Sequence, residues 1–131
     1  MRKILIIDDD PDIVESMKII LEDKKYNVVA ASNGKEGIVK VKQEKPSLII
    51  LDIMMETNDE GIGVAREIKK QKESKDIPIL MLTSIREKIG FDFSNEAGDE
   101  DWLPVDDYCE KPLKSDKLIA KVEALLVKNK K

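Results

Sequence analysis

A doubly wound α/β fold, with a five-stranded parallel sheet and helices on both faces, is what this sequence predicts. Strand and helix signals alternate from the first residues, as a parallel sheet requires, because every crossover must carry the chain back to the edge where the next strand starts. The run Leu48-Ile49-Ile50-Leu51 is apolar without alternation, which fits a central strand covered on both sides. Polar residues close successive strands at one end, and in an open α/β sheet that carboxyl edge is where sites form.

Each element has its own signal. Ile4 to Ile7 is a short β-branched strand that stops at Asp8. Asp10 and Pro11 form a helix cap and a first-turn proline, and Ile13, Met17, Ile20 and Leu21 follow at helical spacing to about Asp23. Asn27 to Ala31 is the second strand, Ser32-Asn33-Gly34 a turn or cap, and Lys35 to Gln43 a helix with Ile38 and Val41 inward. Two glycines near its start each cost about 1 kcal/mol if they are interior. Gly63 to Lys72 is the third helix, with Val64 and Ile68 inward. Ile77 to Leu82 is the fourth strand, with Pro78 near its start, and it ends at Thr83. Val105 to Glu110 reads as a weaker fifth strand. Ser115 caps a last helix whose Leu118, Ile119, Val122, Leu125 and Leu126 make one stripe. The alternation calls for a fourth helix between Ser84 and Asp107, where Gly90, Gly98 and Pro104 interrupt the pattern.

At 131 residues the chain suits a single domain, 1–131, with 41% hydrophobic and 38% charged residues. No apolar run approaches the roughly 20 residues that span a bilayer, and Met1-Arg2-Lys3 meets Asp8 too soon for a signal peptide, so a cytoplasmic setting without membrane contact is expected. Lone Cys109 forms no internal disulfide and reads as a small core residue. There is no histidine, so the chain carries no phosphohistidine, and any metal must be held by oxygen. The net charge of −4 argues against nucleic-acid binding. That charge is lopsided: Ser84 to Asp107 holds eight acids and two bases, which leaves the remainder net positive. Lys114, Lys117, Lys121 and Lys128 read as a solvated face of the last helix.

The chemistry lies at the strand ends. Asp8 and Asp9 follow the first strand, Asp52 the third, Thr83 the fourth and Lys111 the fifth. If strands one and three are neighbours, the three acids converge and repel one another unless a cation lies among them. A hard divalent ion with oxygen ligands, magnesium first, answers that need. A carboxylate beside such an ion, a lysine and a hydroxyl suits phosphoryl transfer, with Asp52 attacking in line to become an acyl phosphate. Taken singly, each of these residues has an ordinary reading: Asp10 as a cap, Asp8 and Asp9 as loop acids, Thr83 as a cap, Tyr108 as strand packing. Their order at consecutive strand ends makes the functional case.

Ile4-Leu5-Ile6-Ile7-Asp8-Asp9-Asp10, Leu51-Asp52-Ile53-Met54-Met55, Leu82-Thr83-Ser84 and Tyr108-Cys109-Glu110-Lys111-Pro112 together resemble the receiver domain of bacterial response regulators over nearly the whole chain. The resemblance implies a flavodoxin-like strand order, 2-1-3-4-5. It implies Asp52 as phosphoacceptor, Asp9 as a direct Mg2+ ligand, Asp8 as a ligand through water and the Met54 main-chain carbonyl as a further ligand, with Mn2+ as a substitute ion. Thr83 and Tyr108 would be the switch pair and Lys111 the phosphate-contacting lysine, followed by a cis bond to Pro112. The donor would be a sensor histidine kinase or a phosphotransfer protein. The output would be altered binding to an unknown downstream protein through the face of the fourth and last helices, by a monomer or a weak phosphorylation-dependent dimer and without enzymatic turnover. Ending at Lys131, the chain reads as a stand-alone module. Met54 and Ile85 would flank the phosphoryl group and slow its hydrolysis.

Two departures from the family pattern stand out: the loop from Met55 to Gly61 is one residue longer than usual, and the span from Thr83 to Lys111 is several residues longer and carries Trp102. Two other readings compete. Asp8-x-Asp10 suggests a haloacid-dehalogenase-like phosphatase, although Asp52 would then be unexplained, and a degenerate receiver would bind its partner without phosphorylation.

Overall fold

The computed structural model describes residues 2–52, 60–83, 106–110 and 114–128. Five strands, β1 (Lys3–Ile7), β2 (Asn27–Ala31), β3 (Leu48–Asp52), β4 (Ile79–Thr83) and β5 (Asp107–Glu110), form one parallel sheet in the order β2-β1-β3-β4-β5. The described helices are α1 (Pro11–Asp23), α2 (Gly34–Glu44), α3 (Glu60–Lys70) and α4 (Ser115–Lys128). None of them is long and apolar enough to cross a membrane.

Side-chain alternation along each strand divides the core into two layers. Leu5, Ile7, Ile49, Leu51 and Met81 face Val41 of α2 and Val64 and Ile68 of α3. Ile4, Ile6, Ile50 and Leu82 face Met17 and Leu21 of α1 and Leu118 and Val122 of α4, and Cys109 is buried in this second layer as expected. Because β3 is central, all five of its residues are buried.

The helix signals translate into bonds. Asp10 caps α1, its carboxylate accepting from the backbone of Asp12 at 3.0 Å and of Ile13 at 3.4 Å. Asn33 caps α2 through a 2.8 Å bond from the Glu36 amide, so Gly34 and Gly37 are both helical. Gly37 has a packing reason: a Cβ there would sit 2.5 Å from Ile7 Cδ1, so the missing side chain lets α2 lie close on β1.

Several boundaries shift from the sequence reading. Pro78 precedes β4 rather than opening it, because the Ile77 amide bonds to Ser74 in a turn and pairing with β3 begins at Ile79. β5 starts at Asp107, Val105 lying outside the described residues, and Ser115 is the first residue of α4 instead of its cap. α3 begins three residues earlier than expected, at Glu60, and ends at Lys70, where the turn to β4 takes over. The segment expected to form a fourth helix lies outside the described residues.

At the amino end of the sheet, Lys69 Nζ donates to the carbonyls of Lys75 and Ile77 at 3.3 and 3.0 Å and pairs with Asp106 Oδ2 at 3.0 Å. The same Asp106 oxygen accepts the Ile79 amide at 2.8 Å. One lysine thus ties α3 to the entries of both β4 and β5. Lys3 and Glu44 form a further pair at 2.8 Å across the start of β1 and the end of α2.

Candidate functional site

Register sets the geometry at the opposite, carboxyl rim. Ile7 pairs with Leu51, so Asp8 and Asp52, one residue further along, emerge side by side from neighbouring strands. Both are 2% exposed, whereas Asp9 is exposed. Carboxylate oxygens of Asp8, Asp9 and Asp52 lie within 4.8 Å of one another. The sequence expectation that these acids converge is therefore met.

Local bonds keep the acids in this arrangement. The Asp8 amide donates to the Ala31 carbonyl at 3.0 Å, which extends the β1–β2 pairing one residue past the strand, and Asp8 Oδ1 accepts the Asp10 amide at 2.9 Å. That second bond turns the chain so that Asp10 faces the start of α1 and acts as its cap. Of the three consecutive aspartates, Asp8 and Asp9 serve the pocket and Asp10 serves the helix.

Crowded carboxylates at a largely dry rim repel one another, and a cation among them removes that cost. The donor set is oxygen only and close enough for one ion to be touched directly or reached through water, which suits Mg2+ and disfavours thiolate- or imidazole-seeking metals. The residues present fit a hard divalent cation.

The other predicted residues divide by element. Thr83 is the last residue of β4, paired with Glu110 and one step beyond Leu82, the neighbour of Asp52. Tyr108 lies on the edge strand β5 opposite Met81, its ring half-buried against the layer that contains Ile7 and Leu51. Lys111, Met54, Ile85, Trp102 and the Lys111-Pro112 bond fall outside the described residues, though β5 ends at Glu110 on this same rim.

Sequence reasoning missed Lys121. Taken there as part of a solvated face, it pairs with Asp107 Oδ1 at 3.1 Å and stands 5.5 Å from the centre of the Tyr108 ring. A usable signal existed, since Lys121 precedes Val122 of the buried stripe and so must lie at the boundary of the helix's inward face.

Comparison with known proteins agrees with this geometry. Residues 4–123 match the response regulator receiver domain family. The chain is 40% identical over 125 residues to the alkaline phosphatase synthesis transcriptional regulatory protein PhoP of Bacillus subtilis, covering 95% of this chain and 48% of that protein. It is 39% identical over 130 residues to the DNA-binding dual master transcriptional regulator RpaA of Synechocystis, covering 96% and 49%. The chain thus spans about half the length of these curated relatives. Among solved structures, the response regulator TrrA of Thermotoga maritima in complex with Mg2+ and BeF superposes with a TM-score of 0.76 at 34% identity, covering 95% of this chain and 99% of that one. The chemotaxis response regulator CheY4 of Vibrio cholerae gives 0.79 at 25% identity, covering 95% and 98%.

Proposed function

The chain belongs to the response regulator receiver family, whose members act in phosphorylation-activated two-component signalling, and we propose that Asp52 is its phosphoacceptor. The observation that carries this reading is the meeting of Asp8, Asp9 and Asp52 within 4.8 Å at the carboxyl rim. An Asp52 oxygen attacks the phosphorus of a phosphohistidine on a partner kinase or phosphotransfer protein. An O–P bond forms as the P–N bond breaks, and the freed imidazole takes up a proton from solvent. Asp8, Asp9, Asp52 and the Met54 carbonyl would hold Mg2+, with Mn2+ as a substitute. The bound ion supplies charge neutralisation for the phosphoryl oxygens.

Burial of Asp52 limits competing water, and the bond from the Asp10 amide fixes the neighbouring Asp8. Lys111 contacts the phosphoryl oxygens, Thr83 donates a hydrogen bond to them, and Tyr108 follows Thr83 as the output switch. Receiver domains are generally not catalytic enzymes; self-phosphorylation from a donor and slow self-dephosphorylation are the chemistry proposed here. Output through altered binding of a downstream protein completes the reading. The relatives named as transcriptional regulators carry about as much chain again beyond the matched part.

The phosphatase alternative loses its support because the Asp10 carboxylate is committed to the backbone of α1, leaving no Asp-x-Asp pair. The reading is tested by incubating the protein with Mg2+ and phosphoramidate. Label should enter the parent and Asp10→Asn proteins and fail to enter Asp52→Asn, while Met54→Asn should shorten its lifetime. Labelling of Asp52→Asn at the parent rate would refute it.

A further inference from the structure

β5 is an edge strand, and its two faces are treated differently. The register that places Asp107 opposite Leu80 and Tyr108 opposite Met81 points their side chains to opposite layers of the sheet. Tyr108 rests on the layer covered by α2 and α3, while α4 packs on the other. A contact between α4 and the Tyr108 ring must therefore reach past the edge of the sheet, and Lys121 makes it. Its Nζ is 5.5 Å from the ring centre and 3.1 Å from Asp107 Oδ1, and that same oxygen accepts the Tyr108 amide at 2.8 Å.

The anchor is firm at its base. Val122, the next residue, is fully buried, and Leu118, one turn before it, is too, so the backbone that carries Lys121 is set by core packing. The ammonium is held 3.1 Å from Asp107 Oδ1 and lies over the ring 5.5 Å from its centre. If the ring moves relative to β5, the cation must abandon either the ring or the carboxylate.

We infer that Lys121 is a positioning residue for the Tyr108 switch, holding the aromatic ring in its present arrangement through a cation shared with Asp107. The inference rests on the proposed switch role of Tyr108. A partly exposed pair adds little to global stability, but a switch with two nearly balanced states responds to small biases. Loss of the cation should shift the equilibrium about fivefold towards the activated arrangement, the equivalent of about 1 kcal/mol.

The test uses the full chain with tyrosine-labelled rings observed by NMR, with Tyr108→Phe supplying the assignment against Tyr26. Mg2+ and beryllofluoride stand in for the phosphoryl group. Lys121→Met keeps the aliphatic stem and removes the charge. It should move the Tyr108 ring resonances part of the way to their beryllofluoride positions before any is added, and should lower the half-saturating concentration about fivefold. Lys121→Arg should restore both. High salt should move the unmodified protein in the same direction as Lys121→Met, and thermal unfolding should be nearly unchanged.

If beryllofluoride moves the ring in the unmodified protein but Lys121→Met behaves like it, the positioning role is refuted and the switch reading survives. If beryllofluoride binds without moving the ring at all, the switch reading fails and the positioning role falls with it.

Discussion

The two rims of the sheet treat acidic residues in opposite ways. At the amino rim, Asp106 and Glu44 each have a lysine within 3.0 Å, and Asp106 also caps the backbone of β4. At the carboxyl rim, three acids are brought within 4.8 Å of one another, two of them almost sealed from water. One end is arranged for stability; the other gathers three acids at a spacing that suits a hard cation. The same strands carry both, so a substitution should move stability and function together only if this contrast is wrong.

The largest expected effect is at Asp52. Asp52→Asn should abolish phosphorylation yet raise stability in metal-free buffer by about 0.5–2 kcal/mol, because it removes one of three mutually repelling charges. Added Mg2+ should stabilise the parent protein and narrow that gap. Denaturant melts with and without the ion measure both. A loss of stability on making Asp52→Asn would break the contrast from the functional side.

Packing beneath the site comes next. Gly37→Ala should cost about 1–3 kcal/mol, since the added methyl group collides with Ile7, whose strand leads directly into Asp8. Gly63→Ala meets nothing within 4 Å and should be neutral or gain up to about 1 kcal/mol from helix propensity. Thermal melts should place Gly37→Ala below the parent and Gly63→Ala level with it or above.

At the amino rim, Lys69→Met should cost about 1–2 kcal/mol, because it strands two carbonyls and half of the Asp106 clamp. Phosphorylation of Asp52 should continue at the parent rate, the reverse of the Asp52→Asn pattern. A large drop in labelling would show that the two rims are coupled.

The smallest effect concerns pH. The hydrogen bond and charge of Lys3 hold the Glu44 carboxyl below its ordinary value of 4.5. A depressed carboxyl stabilises the fold at pH above its unfolded value and loses that contribution as pH falls through the folded one. The difference in stability between the parent and Glu44→Gln should therefore be small near neutrality and vanish as acid takes the pH down through the folded value. A difference that grows in acid would reverse the assignment.

Much of this was legible in the sequence because it is local or periodic. Asp10 beside Pro11 announces a cap, the unbroken apolar run of β3 announces a central strand, and a polar residue after each strand marks the rim. The meeting of Asp8 with Asp52 needed only the assumption that β1 and β3 are neighbours, after which register did the rest. The features that escaped are pairings between distant segments. Lys69 and Asp106 are 37 residues apart, and neither carries a local signature of the clamp they form. Lys121 looked like one solvated lysine among several because helical periodicity marks the boundary of a face without saying what stands across from it. Gly37 read as a weak helix position, whereas its reason lies in the Ile7 side chain of another element.

The account stands on the convergence of Asp8, Asp9 and Asp52 around a cation beside a reactive carboxylate. Its most direct test is to treat the protein with acetyl phosphate in the presence of Mg2+ or of excess chelator and locate the modified residue by mass spectrometry. The account predicts a single phosphorylated site, Asp52, formed only when Mg2+ is present and retarded by Asp9→Asn. Modification at another residue, or at Asp52 with equal speed under chelator, would contradict it.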